Sequence, residues 1–308
     1  MDPEEAIKRV SLDDNKLGFN TECQFYKLKQ ILHGPRRVIP KCPGQFYTPL
    51  QTISFALNLF FDKMKKPPHH AIVMTNDLNF KKLVIYFEKS CLTVAECLMH
   101  CNEFCELSKS DRALLFNHFW PFFLVIERIY FSIATFGAED PRTLIFYDDY
   151  QVCGDQFGKF SNPEMTMEKR NQLFELFNPA NKYLLNLIYL PMKELKLTNL
   201  TEFSYMVGHY LWSLDDIIGV SNEAKALARS VMLSLNNDIH HYYTFTLKET
   251  NYAHRISMLM KLNARTNTYC RQKKEIRITS QFFDIFDGSK LYDEKLCIDN
   301  PTLIYLRE

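Results

Sequence analysis

The chain is expected to be all-α, with one small β-hairpin near residues 143–152. Three observations predict this. Apolar residues recur at steps of three and four along most of its length, which is the helical period. Only 9 Gly stand against 25 Phe and 16 Tyr, a balance that favours long regular elements over tight turns. One short run of strand-forming residues, split by two aspartates, interrupts the helical pattern.

In chain order, residues 1–46 are mixed and irregular, with breaks at Gly34-Pro35, Pro40 and Pro43-Gly44. A helix start follows: Thr48 caps, Pro49 suits the first helical position and Gln51 completes a capping box. That helix runs through Ile53, Leu57, Phe60 and Phe61 and ends before 65–68. From about Asp77 to Glu106 the periodicity predicts one long helix, carried by Phe80, Val84, Phe87, Cys91, Val94, Leu98 and Cys101. Ser108 then caps the next helix, with Asp111 placed to complement its exposed N–H groups. Pro121 lies inside that helix and should kink or divide it. Helix yields around Gly137–Pro141. Thr143–Tyr147 and Tyr150–Val152 then flank the Asp148-Asp149 turn. Helical patterns return at roughly Met167–Leu195, Leu200–Leu214, Asn222–Phe245 and Tyr252–Phe286, the first broken by Pro179 and Pro191.

A length of 308 residues fits one large domain or two small ones. With 46% apolar and 24% charged residues the composition is that of a soluble globular protein. A formal charge of +1 gives no electrostatic reason for gripping nucleic acid or a membrane surface. The acidic start, Met1-Asp2-Pro3-Glu4-Glu5, does not fit a signal peptide. Phe119–Phe136 is the most apolar segment, but Glu127 and Arg128 near its middle mark a buried core helix and not a membrane span. Nine irregularly spaced cysteines, four of them on one predicted helix, are expected to be free thiols in a reducing compartment.

The most informative stretch is Phe104-x-x-Leu107-x-x-x-Asp111-Arg112-Ala113-Leu114-Leu115-Phe116, with Trp120 close behind. From the residues alone, Phe104, Leu107, Leu114 and Leu115 are core positions flanking a helix–loop–helix corner, and Asp111 is a cap. Further on stand Leu197-x-x-Leu200-Thr201-Glu202-Phe203 through Trp212, and Arg255-Ile256-Ser257-x-Leu259-Met260-x-Leu262. In this order and with these separations, the stretches resemble the ligand-binding domain of nuclear hormone receptors, closest in style to the divergent receptors of nematodes. The likeness covers about residues 50–300. It departs at Arg112, where glutamine is usual.

The resemblance implies a three-layer antiparallel helical sandwich over residues 48–308. Residues 1–47 would form an N-terminal extension. There Cys23-Gln24-Phe25-Tyr26-Lys27 is similar to the end of a receptor zinc module, with Tyr26 where a second cysteine belongs. It is either an ordinary extension or a remnant that binds neither zinc nor DNA. The resemblance further implies that Phe104, Leu107, Asp111 and Leu115 hold the corner and that Glu202 pairs with Arg255. Leu83, Tyr86, Phe87, Ser90, Trp120, Leu124, Arg128 and Phe131 would line a pocket for a lipid-like or other apolar molecule. That molecule should be neutral or weakly polar unless Arg128 turns inward, because the position usual for a carboxylate-binding arginine is Phe131. A coregulator groove would use Met99 and His100, with Leu291, Tyr292, Glu294 and Leu296 on a C-terminal activation helix. Met99 stands where receptors usually carry a lysine, and a thioether cannot cap helix carbonyls as a cation does.

Other chemistry finds little support. Cys97, Cys101 and Cys105 share one helical stripe, but a single straight helix cannot close a tetrahedron around one ion. His69-His70 and His240-His241 are expected at the surface. Asp215-Asp216 lacks the further carboxylate that an aspartate-rich Mg²⁺ box needs. No phosphate loop, nucleophile motif or His-Glu metal motif is present. Neither catalysis, a metal nor a cofactor is expected. The function expected is a nuclear, receptor-like transcription regulator binding an apolar molecule, coregulators or both, with dimerisation through 252–286. The alternative is a receptor-fold protein without ligand response, serving as a dimerisation or interaction partner.

Overall fold

The structure, a computed structural model, describes residues 21–40, 44, 46–76, 78–154, 160–161, 166–215 and 217–283. Helix α1 spans Thr21–His33, α2 Pro49–Lys63, α3 Phe80–Leu98, α4 Asn102–Glu106 and α5 Lys109–Phe136. After the sheet come α6 Met167–Leu184, α7 Leu190–Glu194, α8 Leu200–Leu211, α9 Asn222–His241 and α10 Ala253–Phe282. One π-helical segment, Leu185–Tyr189, joins α6 to α7, and a second, Tyr242–Leu247, extends α9. Helices α2 and α3 form one outer layer, α5, α8 and α9 the middle, and α6 and α10 the other face. Among the described residues the fold is mostly helical, with small sheets, as the periodicity predicts.

The helix starts follow their local chemistry. Thr48 Oγ1 accepts from the Gln51 N–H at 3.4 Å while Gln51 Oε1 accepts from the Thr48 N–H at 3.0 Å, which closes the capping box of α2. Asn79 caps α3, Ser108 caps α5, Thr166 caps α6, Asn199 caps α8 and Ser221 caps α9. Pro121 and Pro179 are carried inside α5 and α6. Two elements differ from expectation. The long helix predicted to Glu106 ends at Leu98, and α4 restarts after the cap at Cys101; the Met99 carbonyl turns away to accept from the Arg37 N–H at 2.8 Å. The stretch before Gly34, expected to be irregular, forms α1, because a stripe of Gln24, Leu28, Ile31 and Leu32 turns onto the domain.

The hairpin is present: β3 (Ile145–Phe146) runs antiparallel to β4 (Gln151–Cys153), with Phe146 opposite Val152. Asp148 Oδ1 accepts from the backbone N–H groups of Tyr150 and Gln151, each at 2.7 Å, so this aspartate shapes the turn. Strand β1 (Val73–Met74) adds parallel to β4, giving three strands in the order β1-β4-β3. A separate parallel pair joins β2 (Leu78–Asn79) to β5 (Phe160–Ser161).

The core is centred on α5, where Phe116, Phe119, Trp120, Phe122 and Phe123 are at most 1% exposed. Each such side chain contributes about 1.5–3 kcal/mol on burial. Helix α5 is long and apolar enough to cross a membrane, but most of it is buried inside this fold. Gly208 shows how closely the layers approach: a Cβ there would stand 2.8 Å from Ile53 Cδ1 and 3.3 Å from Leu235 Cδ1. Cys91, Cys97, Cys101, Cys105, Cys153 and Cys270 are free thiols. Burial pushes the Cys97 thiol up to about 12, so its reactive thiolate is suppressed.

Candidate functional site

The corner that carries the sequence signature is built around two adjacent charged side chains. Ser108 Oγ accepts from the Asp111 N–H at 3.0 Å and donates to Asp111 Oδ2 at 2.7 Å. Asp111 also accepts from the Ser221 N–H at 2.9 Å and the Ser221 hydroxyl at 2.8 Å, so one carboxylate ties the start of α5 to the start of α9. Burial raises its pKa, but the hydrogen bonds from Ser221 and Ser108 outweigh that and leave it below the usual value. Arg112 points the other way. Its guanidinium donates to the carbonyls of Leu32 on α1, Cys105 (2.7 Å) and Leu107 (3.2 Å), and lies 4.0 Å from Met99 Sδ. Phe104, Leu107 and Leu115 are buried around this corner.

Glu202 and Arg255 meet as a second structural pair. Arg255 Nη2 lies 2.6 Å from Glu202 Oε2, and Arg255 Nε and the Tyr243 hydroxyl both donate to Oε1. Arg255 Nη1 reaches the Leu195 carbonyl at 2.9 Å, so the pair joins α8, the π segment after α9 and α10. Glu202 is 3% exposed, which makes this a buried carboxylate with its charge and lone pairs satisfied.

Of the residues expected to line a pocket, Leu83, Tyr86, Ser90, Trp120, Leu124 and Phe131 are buried, and Phe87 and Arg128 are half-buried. They come from α3 and α5, which pack together. Arg128 Nε donates to the Leu124 carbonyl at 2.8 Å, and its guanidinium lies 5.4 Å from the centre of the Phe87 ring. Ser90 Oγ and Trp120 Nε1 are two of eight buried side-chain polar atoms among the described residues that lack a hydrogen-bond partner.

A polar group that the sequence reading did not assign adjoins Tyr86 and Phe131 of this set. Lys66 Nζ donates to the Tyr86 hydroxyl (3.2 Å) and the Asp148 carbonyl (3.3 Å), with Asp149 Oδ1 at 3.7 Å. The ammonium faces three rings, at 4.2 Å from the centre of Tyr86, 4.8 Å from Phe131 and 5.0 Å from Phe146. Tyr86 donates onward to the fully buried Glu127 carboxylate at 2.9 and 3.1 Å. Burial pushes the Lys66 ammonium down to about 8, against the pull of Glu127 and Asp149. Burial likewise pushes Glu127 up to about 7, against the nearby charges of Lys66 and Arg128. Glu127 was visible as a charge in an apolar helix; its partner, distant in sequence, was not.

Met99 is 1% exposed beneath the Arg112 guanidinium, and His100 is half-buried with its ring 5.6 Å from that of Phe55. Burial lowers the His100 pKa. Leu291, Tyr292, Glu294 and Leu296 lie outside the described residues. Among the described residues, no group of three His, Cys, Asp or Glu side chains is placed to hold a metal ion.

Comparison with known proteins places this arrangement. A family model for the ligand-binding domain of nuclear hormone receptor matches residues 70–283. The chain is 23% identical over 265 residues to Nuclear hormone receptor family member nhr-213 of Caenorhabditis elegans, covering 84% of this chain and 62% of that relative. It is 24% identical over 202 residues to the High zinc activated nuclear receptor protein of the same organism, covering 64% and 48%. The chain thus spans from about half to about three-fifths of the length of these relatives. The Ultraspiracle ligand binding domain from Drosophila melanogaster superposes with a TM-score of 0.50 at 13% identity, covering 78% of this chain and 92% of that one, a likeness of fold. The matched family segment contains α3 through α10, with the Asp111–Arg112 corner and the Glu202–Arg255 ion pair. The chain belongs to the nuclear hormone receptor ligand-binding domain family.

Proposed function

We propose that the chain acts in a nuclear transcription regulator by holding an apolar molecule between α3 and α5, and that coregulators dock on the outer face of the same two helices. Transcription regulation and the nucleus are typical of the family, which is in general non-enzymatic. The unpartnered Ser90 Oγ and Trp120 Nε1 carry the reading. A buried donor or acceptor left unpaired costs about 1–3 kcal/mol, and a bound molecule with a polar group beside either atom would satisfy it. Arg128, stacked over Phe87, supplies a third polar handle. Residues 48–308 then form the ligand-binding unit, residues 1–47 lead into it, and α10 within 252–286 offers the dimerisation helix. DNA contact is not assigned to this chain.

The test is a thermal-shift panel of long-chain alcohols, fatty acids and sterols on the purified full chain. At least one class should raise the melting temperature, since a ligand at a hundred times its Kd stabilises by about 2.7 kcal/mol. Ser90→Ala and Trp120→Phe should each at least halve that shift. If no class shifts the wild type and Ser90→Ala merely raises its melting temperature, the reading is overturned. The second reading, a receptor fold without ligand response, then gains: Lys66 fills the space between Tyr86, Phe131 and Phe146 from within the chain.

A further inference from the structure

Helix α1 packs on α3, which Met99 caps, and on α5, which carries the Asp111–Arg112 corner. Its buried side is Gln24, Leu28 and Leu32, with Ile31 packed beside them, so Leu28-Lys29-Gln30-Ile31-Leu32 presents three aliphatic side chains on one face. Lys27, Lys29 and Gln30 are exposed on the other face. Both ends are held. At the C-terminal end, where a helix exposes unsatisfied carbonyls and negative charge, Arg112 donates to the Leu32 carbonyl. Nearer the N-terminal end, the Glu88 carboxylate is bonded by the Gln24 side chain and lies beside Lys27. After α1 the chain is pinned again, by the Arg37 N–H to the Met99 carbonyl and by the Arg37–Glu96 ion pair at 3.6 Å.

We propose that α1 is a resident occupant of the coregulator groove: an amphipathic Leu-x-x-Ile-Leu helix of this chain, seated between α3 and α5 and clamped at its C-terminal end by Arg112. This inference rests on the reading that the outer α3–α5 face is where coregulators dock. Arg112 supplies the cation that Met99 cannot, from the first turn of α5 instead of the C-cap of α3. An external partner helix must displace α1 to bind, so the groove is self-blocked until α1 is drawn away. The partner that competes is a short amphipathic helix with the same aliphatic spacing, because the same face and the same clamp would receive it.

The test uses the full chain and a fluorescein-labelled helical peptide carrying a Leu-x-x-Leu-Leu motif, read by fluorescence anisotropy. A tethered competitor acts at millimolar effective concentration, so the Leu28→Ala/Leu32→Ala variant should bind the peptide on the order of 10- to 100-fold more tightly than the wild type. Adding Arg112→Ala should weaken that gain. If the double variant fails to fold by circular dichroism, Lys29→Pro breaks α1 at an exposed position and leaves α3 and α5 intact. Equal affinity of the peptide for wild type and opened variant overturns the self-blocking, while leaving the groove itself standing. If the peptide binds neither, a labelled peptide of residues 21–34 decides. Its binding to the opened variant supports α1 as occupant even though the coregulator reading fails, and its failure to bind overturns the inference.

Discussion

Replacing Lys66 with methionine removes an ammonium that faces the Tyr86–Glu127 pair while keeping most of the side chain's bulk among Tyr86, Phe131 and Phe146. Glu127 is fully buried, and its remaining partner in the network is the Tyr86 hydroxyl. The carboxyl already titrates near 7 in the fold against 4.5 as its ordinary value. The folded state therefore holds a proton between about pH 4.5 and 7 that the unfolded chain has released, and stability falls as pH rises through that window. At about 1.4 kcal/mol per pH unit this amounts to about 3 kcal/mol. Loss of Lys66 raises the folded pKa of Glu127 further, so the carboxyl stays protonated at pH 7.5 in Lys66→Met, and the variant's deficit should grow by up to about 0.8 kcal/mol between pH 5.5 and pH 7.5, where the wild-type carboxyl ionises. Urea unfolding followed by circular dichroism at the two pH values measures both. Adding Glu127→Gln to Lys66→Met should remove the decline in stability between about pH 4.5 and 7.5 and leave the double variant more stable than Lys66→Met at pH 7.5, because no titrating carboxyl remains beside Tyr86. A deficit independent of pH, or a double variant no better than Lys66→Met alone, would refute the reasoning.

Asp111→Ala removes two hydrogen bonds from Ser221 and the contact with Ser108, and should cost about 3 kcal/mol at neutral pH in the same unfolding assay. Its folded pKa is lowered, so the contribution is present above the ordinary carboxylate pKa and lost as pH falls through the folded value; the variant should lack that acid-side decline. Arg255→Ala leaves Glu202 buried without its cation and should cost about 3–5 kcal/mol, visible as a large drop in melting temperature. Gly208→Ala forces a methyl to within 2.8 Å of Ile53 Cδ1 and should destabilise by about 1–3 kcal/mol, with Ile53→Val relieving part of the strain.

The helical layers and the corner were legible because their signals are local. Thr48, Ser108 and Gln51 act within one turn of their own helices, and the apolar period of α5 spans many turns. Glu127 announced a buried charge, but Lys66 sits in the Lys-Lys-Pro-Pro stretch that reads as a loop, and only packing brings the two together. Arg112 looked like a departure from the family pattern, and its role depends on the Leu32 carbonyl from a helix that was not expected. A helix as short as α1 is marginal by itself and takes its stability from the face it covers, so the nearby glycine and prolines dominated the local signal. The π-helical segments at Leu185–Tyr189 and Tyr242–Leu247 likewise have no local code. The second places Tyr243 over Glu202.

Native mass spectrometry of the full chain tests the central claim most directly, that the face between α3 and α5 around Ser90 and Trp120 holds a small molecule. The wild type is predicted to carry a co-purified increment that is lost on denaturation and reduced in Trp120→Phe. A bare-chain mass for the wild type, unchanged after incubation with a total lipid extract, would contradict the account.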